Sequence, residues 1–209
     1  MTLSRPGLGP GLGLVRDSGS TPEALAARGD DELMALARAG LRAAFAVLVE
    51  RHARRVVDLC ARFVNDAQQG QELAQDTWVM VWQARERYRG AGAFVPWLIT
   101  VARNHCRNHL RRRKLAPAPT ALAPDVEMAP PAGGSATQLD GLLLEERRRR
   151  VRAALAELSE PMREVLLLRY AEELPYDEMT SVVGTGESTL RSRVHHGLKA
   201  LQRKLEDEA

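Results

Sequence analysis

A stretch rich in proline, alanine and glycine, over residues 115–138, is the feature that most restricts how this chain can fold. Proline cannot donate a backbone hydrogen bond, and the stretch shows no helical or strand periodicity. We therefore expect a semi-extended linker rather than part of a packed core. The sequence predicts two small domains at residues 23–114 and 141–209, joined by a linker at 115–140 and preceded by a flexible leader at 1–22.

Both predicted domains carry the apolar spacing of amphipathic helices. Apolar residues from Phe45 to Val64 recur three and four positions apart, and Asn65-Asp66 is expected to end that helix. Aromatic residues make up only 4% of the chain, and few segments alternate apolar and polar residues as strands do. These observations predict an all-α fold. Further helices are predicted at residues 68–87, 94–114, 142–158, 175–183 and 187–205.

The last two predicted helices are separated by a glycine-bearing turn at residues 184–186. Two helices with such a turn are typical of a helix-turn-helix, whose second helix enters the major groove of DNA. We expect an apolar face of Leu190, Val194, Leu198, Leu201 and Leu205 to be buried. The side chains placed to reach bases are Ser188, Thr189, Arg191, Ser192, Arg193 and His196. A helical hairpin that only packs is the alternative.

Positive charge is concentrated in residues 85–114, which hold nine Lys or Arg residues and one acidic residue. Such a block is typical of a polyanion-binding surface, although a solvated helix face is the alternative. Tyr88, Phe94 and Trp97 flank it. Basic residues beside aromatic rings suit opened DNA, although Phe94 and Trp97 are equally expected in a core. The arginines predicted to bind DNA are Arg103, Arg107, Arg111 and Arg112.

A polar strip of Glu72, Gln75 and Asp76 shares one face of the helix at residues 68–87. Such a strip is either a solvated surface or a patch that docks another protein. The sequence alone does not separate these alternatives.

No reactive constellation is visible. His105 and His109 are spaced to share a metal ion, with Cys106 between them, but the neighbouring arginines would repel a cation. The sequence shows no nucleophile–base pair, phosphate-binding glycine loop or zinc-ligand spacing. We therefore predict no metal, no cofactor and no enzymatic activity.

The cellular location is predicted from what the sequence lacks. The two cysteines form no CxxC motif, which suits a reducing compartment. No apolar run approaches the roughly 18 residues of a membrane span, and the first 22 residues make a poor signal peptide. We expect a cytoplasmic protein that does not insert into a membrane.

Two sets of motifs resemble the sigma-70 family, specifically its extracytoplasmic-function (ECF) group. Residues 43–114 resemble the family's second conserved region through AAFAVLVERHARRVV, QELAQDTWVMVW and GAFVPWLITVARNHCRNHLRRRK. Residues 145–205 resemble its fourth region through LAELSEPMREVLLLRYAEELPYDEMTSVVGTGESTLRSRVHHGLKALQRKL. The resemblance covers about two thirds of the chain, in the family's order across the linker.

This resemblance implies a transcription initiation factor that directs core RNA polymerase to promoters. Glu72, Gln75 and Asp76 match positions that contact the clamp helices of the polymerase β′ subunit, and the β subunit is also an implied partner. The implied minus-10 contacts are the loop beginning at Tyr88 and the residues Asn104, Arg107, Asn108, Arg111 and Arg112. The helix-turn-helix residues match the minus-35 contacts, and an anti-sigma factor is an implied inhibitor.

Three departures from the family pattern bear on promoter sequence rather than on function. Asn108 stands where aspartate is common, Thr180 replaces a usual alanine, and GTGES is an unusual turn. Two other protein classes remain open at this stage. One is a helix-turn-helix regulator that does not load polymerase, and the other is an interaction module whose basic helix binds an acidic protein.

Overall fold

The computed structural model describes residues 21–90, 92–115 and 138–207, and all regular elements in these ranges are helices. The first unit, residues 21–115, contains α1 to α5 and a short 3₁₀ turn. The second unit, residues 138–207, contains α6 to α9 and one π-helical turn. The leader up to residue 20 and the linker at 116–137 lie outside the described residues. The predicted all-α fold is confirmed.

In the first unit the helices are α1 (Pro22–Ala26), α2 (Asp30–Arg38), α3 (Arg42–Val64), α4 (Ala67–Ala84) and α5 (Phe94–Leu115), with the 3₁₀ turn at Arg85–Arg87. Thr21 caps α1 by accepting a hydrogen bond from the Ala24 amide at 3.3 Å. Asn65 ends α3 in the left-handed conformation, and Asp66 caps α4. The predicted boundary between these two helices is therefore confirmed.

The α3–α4 pair forms the base on which α5 packs. Gly70 of α4 lies against Ala61 of α3 so closely that a β-carbon on Gly70 would sit 2.4 Å from the Ala61 α-carbon. Leu48, Leu59, Leu98 and other core side chains are fully buried between these helices. Cys60 and Cys106 are free thiols inside this core, and their mutual contact and burial raise the pKa of Cys106.

In the second unit the helices are α6 (Gln138–Ala156), α7 (Glu160–Leu166), α8 (Tyr176–Val183) and α9 (Glu187–Asp207), with the π-helical turn at Leu167–Ala171. The α6 helix begins earlier than predicted, so residues 138–140 of the expected linker are helical. Val151 of α6 is exposed. Gly184 ends α8 with a φ of 72°, which a glycine adopts without steric cost.

The buried face of α9 differs from the predicted one. Leu190, Val194 and Gly197 are buried, whereas Leu198 is 40% exposed, so the expectation for Leu198 was wrong. A β-carbon on Gly197 would lie 3.2 Å from Leu166 of α7. The missing side chain lets α7 and α9 approach closely, and this rotates Leu198 away from the core.

The close α3–α4 contact predicts that Gly70→Ala destabilises the first unit. The new methyl group overlaps backbone atoms of Ala61, which cannot move without shifting the helix, so we expect a loss of about 1–3 kcal/mol in unfolding free energy. Urea unfolding of the full chain measures it. Gly141→Ala in α6 is the control, because a β-carbon there would meet no atom within 4 Å and alanine favours helix. Equal stability of the two variants would contradict the close packing.

Candidate nucleic-acid interface

The helix-turn-helix consists of α8, the turn at residues 184–186 and α9. Burial of Leu190 and Val194 against the unit fixes which side of α9 faces outward. The predicted base-reading residues form one largely solvent-facing group at the start of α9: Ser188, Thr189, Arg191, Ser192 and His196 are exposed, and Arg193 is half-buried. The amino end of the helix adds a partial positive charge, which favours phosphate nearby.

Arg191 is held by two neighbours before any DNA is bound. Its Nε and Nη2 atoms donate hydrogen bonds to Oε1 of Glu187 at 2.8 and 2.5 Å. Its guanidinium also lies 4.3 Å from the ring centre of Tyr176, at the start of α8. The sequence pointed to Arg191 by its position, but the stacking on Tyr176 depends on how α8 packs against α9.

A second basic surface lies along α5. Asn104, Arg107, Asn108, Arg111 and Lys114 line a groove that is closed on its other side by Glu160 of α7. Burial alone would raise the pKa of Glu160, but the hydrogen bond from Lys114 and the charges of Lys114 and Arg107 lower it overall. Arg112 is exposed. The structure therefore brings most of the predicted minus-10 residues together in one groove.

Arg103 lies apart from this groove. It is 4% exposed, and it forms an ion pair with Glu164 of α7 and donates a hydrogen bond to the backbone carbonyl of Val182 at 3.1 Å. The spacing of the arginines along α5 did not reveal this, because both partners come from the second unit. In this arrangement Arg103 has no access to DNA.

Tyr88 is likewise a core residue in this structure. It is 4% exposed, and its ring packs on Trp97 with 5.1 Å between ring centres. Its hydroxyl donates a hydrogen bond to the Asp31 carboxylate. Burial and that carboxylate raise the pKa of Tyr88, so the hydroxyl stays protonated. Phe94 is also buried, and Trp97 is half-buried beside it.

The polar strip of Glu72, Gln75 and Asp76 is exposed along α4. Asp76 lies 3.7 Å from Nε2 of His105, which links the strip to α5. The structure adds two apolar neighbours on the same helix, Val79 and Met80, which are 55% and 36% exposed. A mixed polar and apolar helix face of this kind is typical of a protein-docking surface. The sequence analysis did not assign Val79 or Met80 to this surface, because it considered only the polar side chains of the strip.

The histidines on α5 show no metal-binding arrangement. Within residues 21–90, 92–115 and 138–207, no group of three or more His, Cys, Asp or Glu side chains could hold a metal ion. Burial and the nearby charges of Arg113 and His105 lower the pKa of His109, which leaves its ring neutral at neutral pH. In the same ranges no helix is long and apolar enough to cross a membrane.

A recognition helix on one unit and a basic groove on the other define a helical DNA-binding protein, and comparisons with known proteins identify its family. Sigma-70 region 2 matches residues 48–115, and Sigma-70 region 4 matches residues 148–201. The chain is 30% identical over 184 residues to RNA polymerase sigma-H factor of Pseudomonas aeruginosa, covering 85% of this chain and 94% of that protein.

Two further comparisons agree. The chain is 28% identical over 163 residues to ECF RNA polymerase sigma factor SigK of Mycolicibacterium vanbaalenii, covering 78% of this chain and 82% of that protein. The fold matches that of CnrH, solved in complex with the cytosolic domain of CnrY, with a TM-score of 0.64, 22% identity and coverage of 86% and 99% of the two chains. The protein belongs to the ECF group of the sigma-70 family.

It is therefore a transcription initiation factor, which binds core RNA polymerase and directs it to promoters. This result favours the sigma-factor interpretation over a regulator that does not load polymerase. The family consists of initiation factors and is not a family of enzymes.

The position of Tyr88 predicts a structural effect of Tyr88→Phe. Removing the hydroxyl leaves the Asp31 carboxylate without one donor, and hydrogen bonds to charged groups contribute about 1.5–3 kcal/mol. We expect a loss of about this size in unfolding free energy and unchanged affinity for single-stranded DNA. Tyr170→Phe is the control, because Tyr170 is 57% exposed. A stable Tyr88→Phe variant with weakened DNA binding would instead support a minus-10 role for Tyr88.

Proposed function

We propose that the exposed strip on α4, made of Glu72, Gln75 and Asp76, docks the chain on the clamp helices of the polymerase β′ subunit. The exposure of all three polar side chains carries this proposal. The exposed Val79 and Met80 beside them supply apolar area that water would otherwise cover. The proposed docking surface lies within the segment that matches Sigma-70 region 2.

Docking through this strip predicts that the triple variant Glu72→Ala, Gln75→Ala and Asp76→Ala loses promoter-dependent transcription. Run-off transcription by bacterial core polymerase on fragmented genomic DNA measures the loss. We expect discrete transcripts with the native chain and at least about a tenfold reduction with the variant, since truncating the central residues of an interface typically costs about 1–4 kcal/mol.

The control is the double variant Glu32→Ala and Glu50→Ala, which removes two negative charges, as the triple variant does, but from exposed sites on α2 and α3. It should transcribe normally. If both variants lose transcripts equally, net charge rather than the α4 strip governs polymerase binding, and the proposed docking site is wrong.

We further propose that each of the two surfaces binds a different promoter element. The start of α9 reads the minus-35 element as duplex through Ser188, Thr189, Arg191, Ser192, Arg193 and His196. The groove of α5 holds the minus-10 strand as it opens, because its cations neutralise phosphates while its asparagines can bond to bases. In this proposal the domain at residues 141–209 binds the minus-35 element, the domain at residues 23–114 binds the minus-10 element, and the linker at 115–140 joins them.

The proposed role of α9 predicts that Arg191→Ala weakens binding to duplex minus-35 DNA by about 1–3 kcal/mol, the usual contribution of an arginine paired with a guanine. Fluorescence anisotropy at fixed salt measures it. Arg203→Ala, an exposed arginine near the other end of α9, is the matched control and should change affinity for specific and random DNA by the same factor. Equal effects of the two variants on sequence preference would exclude Arg191 from base reading.

Three broader properties complete the proposed function. The chain acts without catalysis of its own and works in the cytoplasm, where polymerase and promoter DNA are found. An anti-sigma factor inhibits it, and the similarity of the fold to the sigma factor RpoE of Bartonella quintana, solved in complex with the anti-sigma factor NepR, supports this part of the proposal.

A further inference from the structure

The loop that leads into α5 is held at both ends by one carboxylate of α2. Oδ1 of Asp31 accepts a hydrogen bond from the Tyr88 hydroxyl, and Oδ2 accepts one from the Gly92 amide. The loop spans residues 88–93, and the structure describes all of them except residue 91. Asp31 precedes its two partners by 57 and 61 residues, so the arrangement is a tertiary contact rather than a local turn.

A second side chain of α2 supports the same loop. Nη1 of Arg38 donates a hydrogen bond to the Tyr88 backbone carbonyl at 3.3 Å. Asp31 lies in the first turn of α2 and Arg38 is its last residue, and two full turns of helix place both on the same side. The helix therefore contacts the loop near its start and again at its end.

The start of α2 is itself fixed to α3. Oδ2 of Asp30 accepts a hydrogen bond from Nε2 of His52 at 2.8 Å, and Arg51 pairs with the other carboxylate oxygen. Nη2 of Arg51 also donates hydrogen bonds to the carbonyls of Ala26 and Arg28, at 3.1 and 3.2 Å. These contacts fix the position of α2, and with it the carboxylate that holds the loop.

The loop needs such an anchor because its backbone is intrinsically free. Gly90 and Gly92 have φ angles of 80° and 73°, a region that residues with side chains rarely adopt. Glycine also loses more conformational freedom on ordering than any other residue, so an unanchored loop of this composition would sample many conformations. The hydrogen bond from the Gly92 amide to Asp31 selects one of them.

We propose that Asp31 is a positioning residue for promoter recognition, which holds this loop in the conformation that selects a base at one end of the minus-10 element. The loop presents backbone groups and the exposed side chain of Arg89. Such groups discriminate between bases only when their directions are fixed. This inference rests on the proposed role of the first domain in binding the minus-10 element. The α2 helix precedes the segment that matches Sigma-70 region 2, which begins at residue 48.

The loop and the α5 groove are expected to contact different bases. About 15 Å of helix separates Phe94, where α5 begins, from Asn104, the first residue that lines the groove. Stacked bases of one strand are about 3.4 Å apart, so a strand lying along α5 would place several bases between the two sites. Asp31 should therefore affect base preference at positions other than those that Asn108 affects.

The test measures base preference with the holoenzyme formed by core polymerase and the full-length chain. One promoter identified by run-off transcription is randomised across its minus-10 element, and each copy carries a barcode in its transcribed region. Sequencing the barcodes in RNA and in input DNA gives the preference at each position. We expect Asp31→Ala to lower the preference about fivefold or more at adjacent positions at one end of the element, as loss of one base contact would. Preference at the other positions should be retained.

Two variants separate positioning from charge and from stability. The amide of Asp31→Asn can still accept a hydrogen bond from Gly92, and it can donate one to the Tyr88 oxygen. We expect this variant to keep most of the base preference although it lacks the charge. Gly70→Ala should destabilise the same unit without contacting the loop, and it should leave the base preference unchanged.

Arg38→Ala provides a second way to loosen the loop. It removes the hydrogen bond to the Tyr88 carbonyl, and because Arg38 is exposed, the variant should fold. We expect it to lower the preference at the same positions as Asp31→Ala, with a smaller effect. It serves as the test if Asp31→Ala prevents folding.

The positioning role is overturned if a folded Asp31→Ala variant keeps the native base preference at every position, or if Asp31→Asn loses as much preference as Asp31→Ala. It is also overturned if Gly70→Ala shifts the same positions, since lost stability would then explain the change. Asn108→Ala tests the proposed function separately. If Asn108→Ala lowers base preference and Asp31→Ala does not, the groove reads DNA without help from α2. If neither does, the proposed role of the first domain in reading the minus-10 element is wrong as well.

Discussion

The packing of α5 is the constraint on which the rest of this structure depends. One face of the helix must supply apolar side chains to the core formed with α3 and α4, where Leu98, Ile99 and Cys106 are fully buried or nearly so. The opposite face carries the basic and amide side chains that line the groove proposed to bind DNA. Because the core fixes one face of this long helix, the direction of the side chains on the opposite face is also fixed. The groove is therefore preorganised by core packing.

The helices were predictable because their signals are local. The period of three and four among apolar residues, the Asn65-Asp66 boundary and the glycine-bearing turn at 184–186 each act within a few residues, and the structure contains all three. The exposed positions at the start of α9 follow from the same periodicity. So does the exposure of Glu72, Gln75 and Asp76.

Close approach and contacts between units were not predictable from the sequence. Gly197 lies on the buried face of α9, because the absence of a side chain leaves room for Leu166 of α7. A hydrophobicity pattern instead assigns Leu198 to that face, where the structure has it 40% exposed. Arg103 and Tyr88 were assigned to DNA because charge and aromatic character suggest a nucleic-acid surface. Their partners, Glu164 and Asp31, are 61 and 57 residues away in sequence, and nothing local indicates either pairing.

The two units differ in how exposed their proposed DNA surfaces are in this structure. The start of α9 keeps Ser188, Thr189 and Arg191 exposed, while the groove on α5 has Glu160 across it. The surface proposed for duplex DNA is therefore accessible in this structure, whereas the groove proposed for single-stranded DNA contains a carboxylate from the second unit. The exposed pairs of Glu160 contribute little stability on their own, because water and salt screen them. The buried pair of Arg103 and Glu164 constrains α5 and α7 more strongly, because either charge would lack a counterion if its partner were removed.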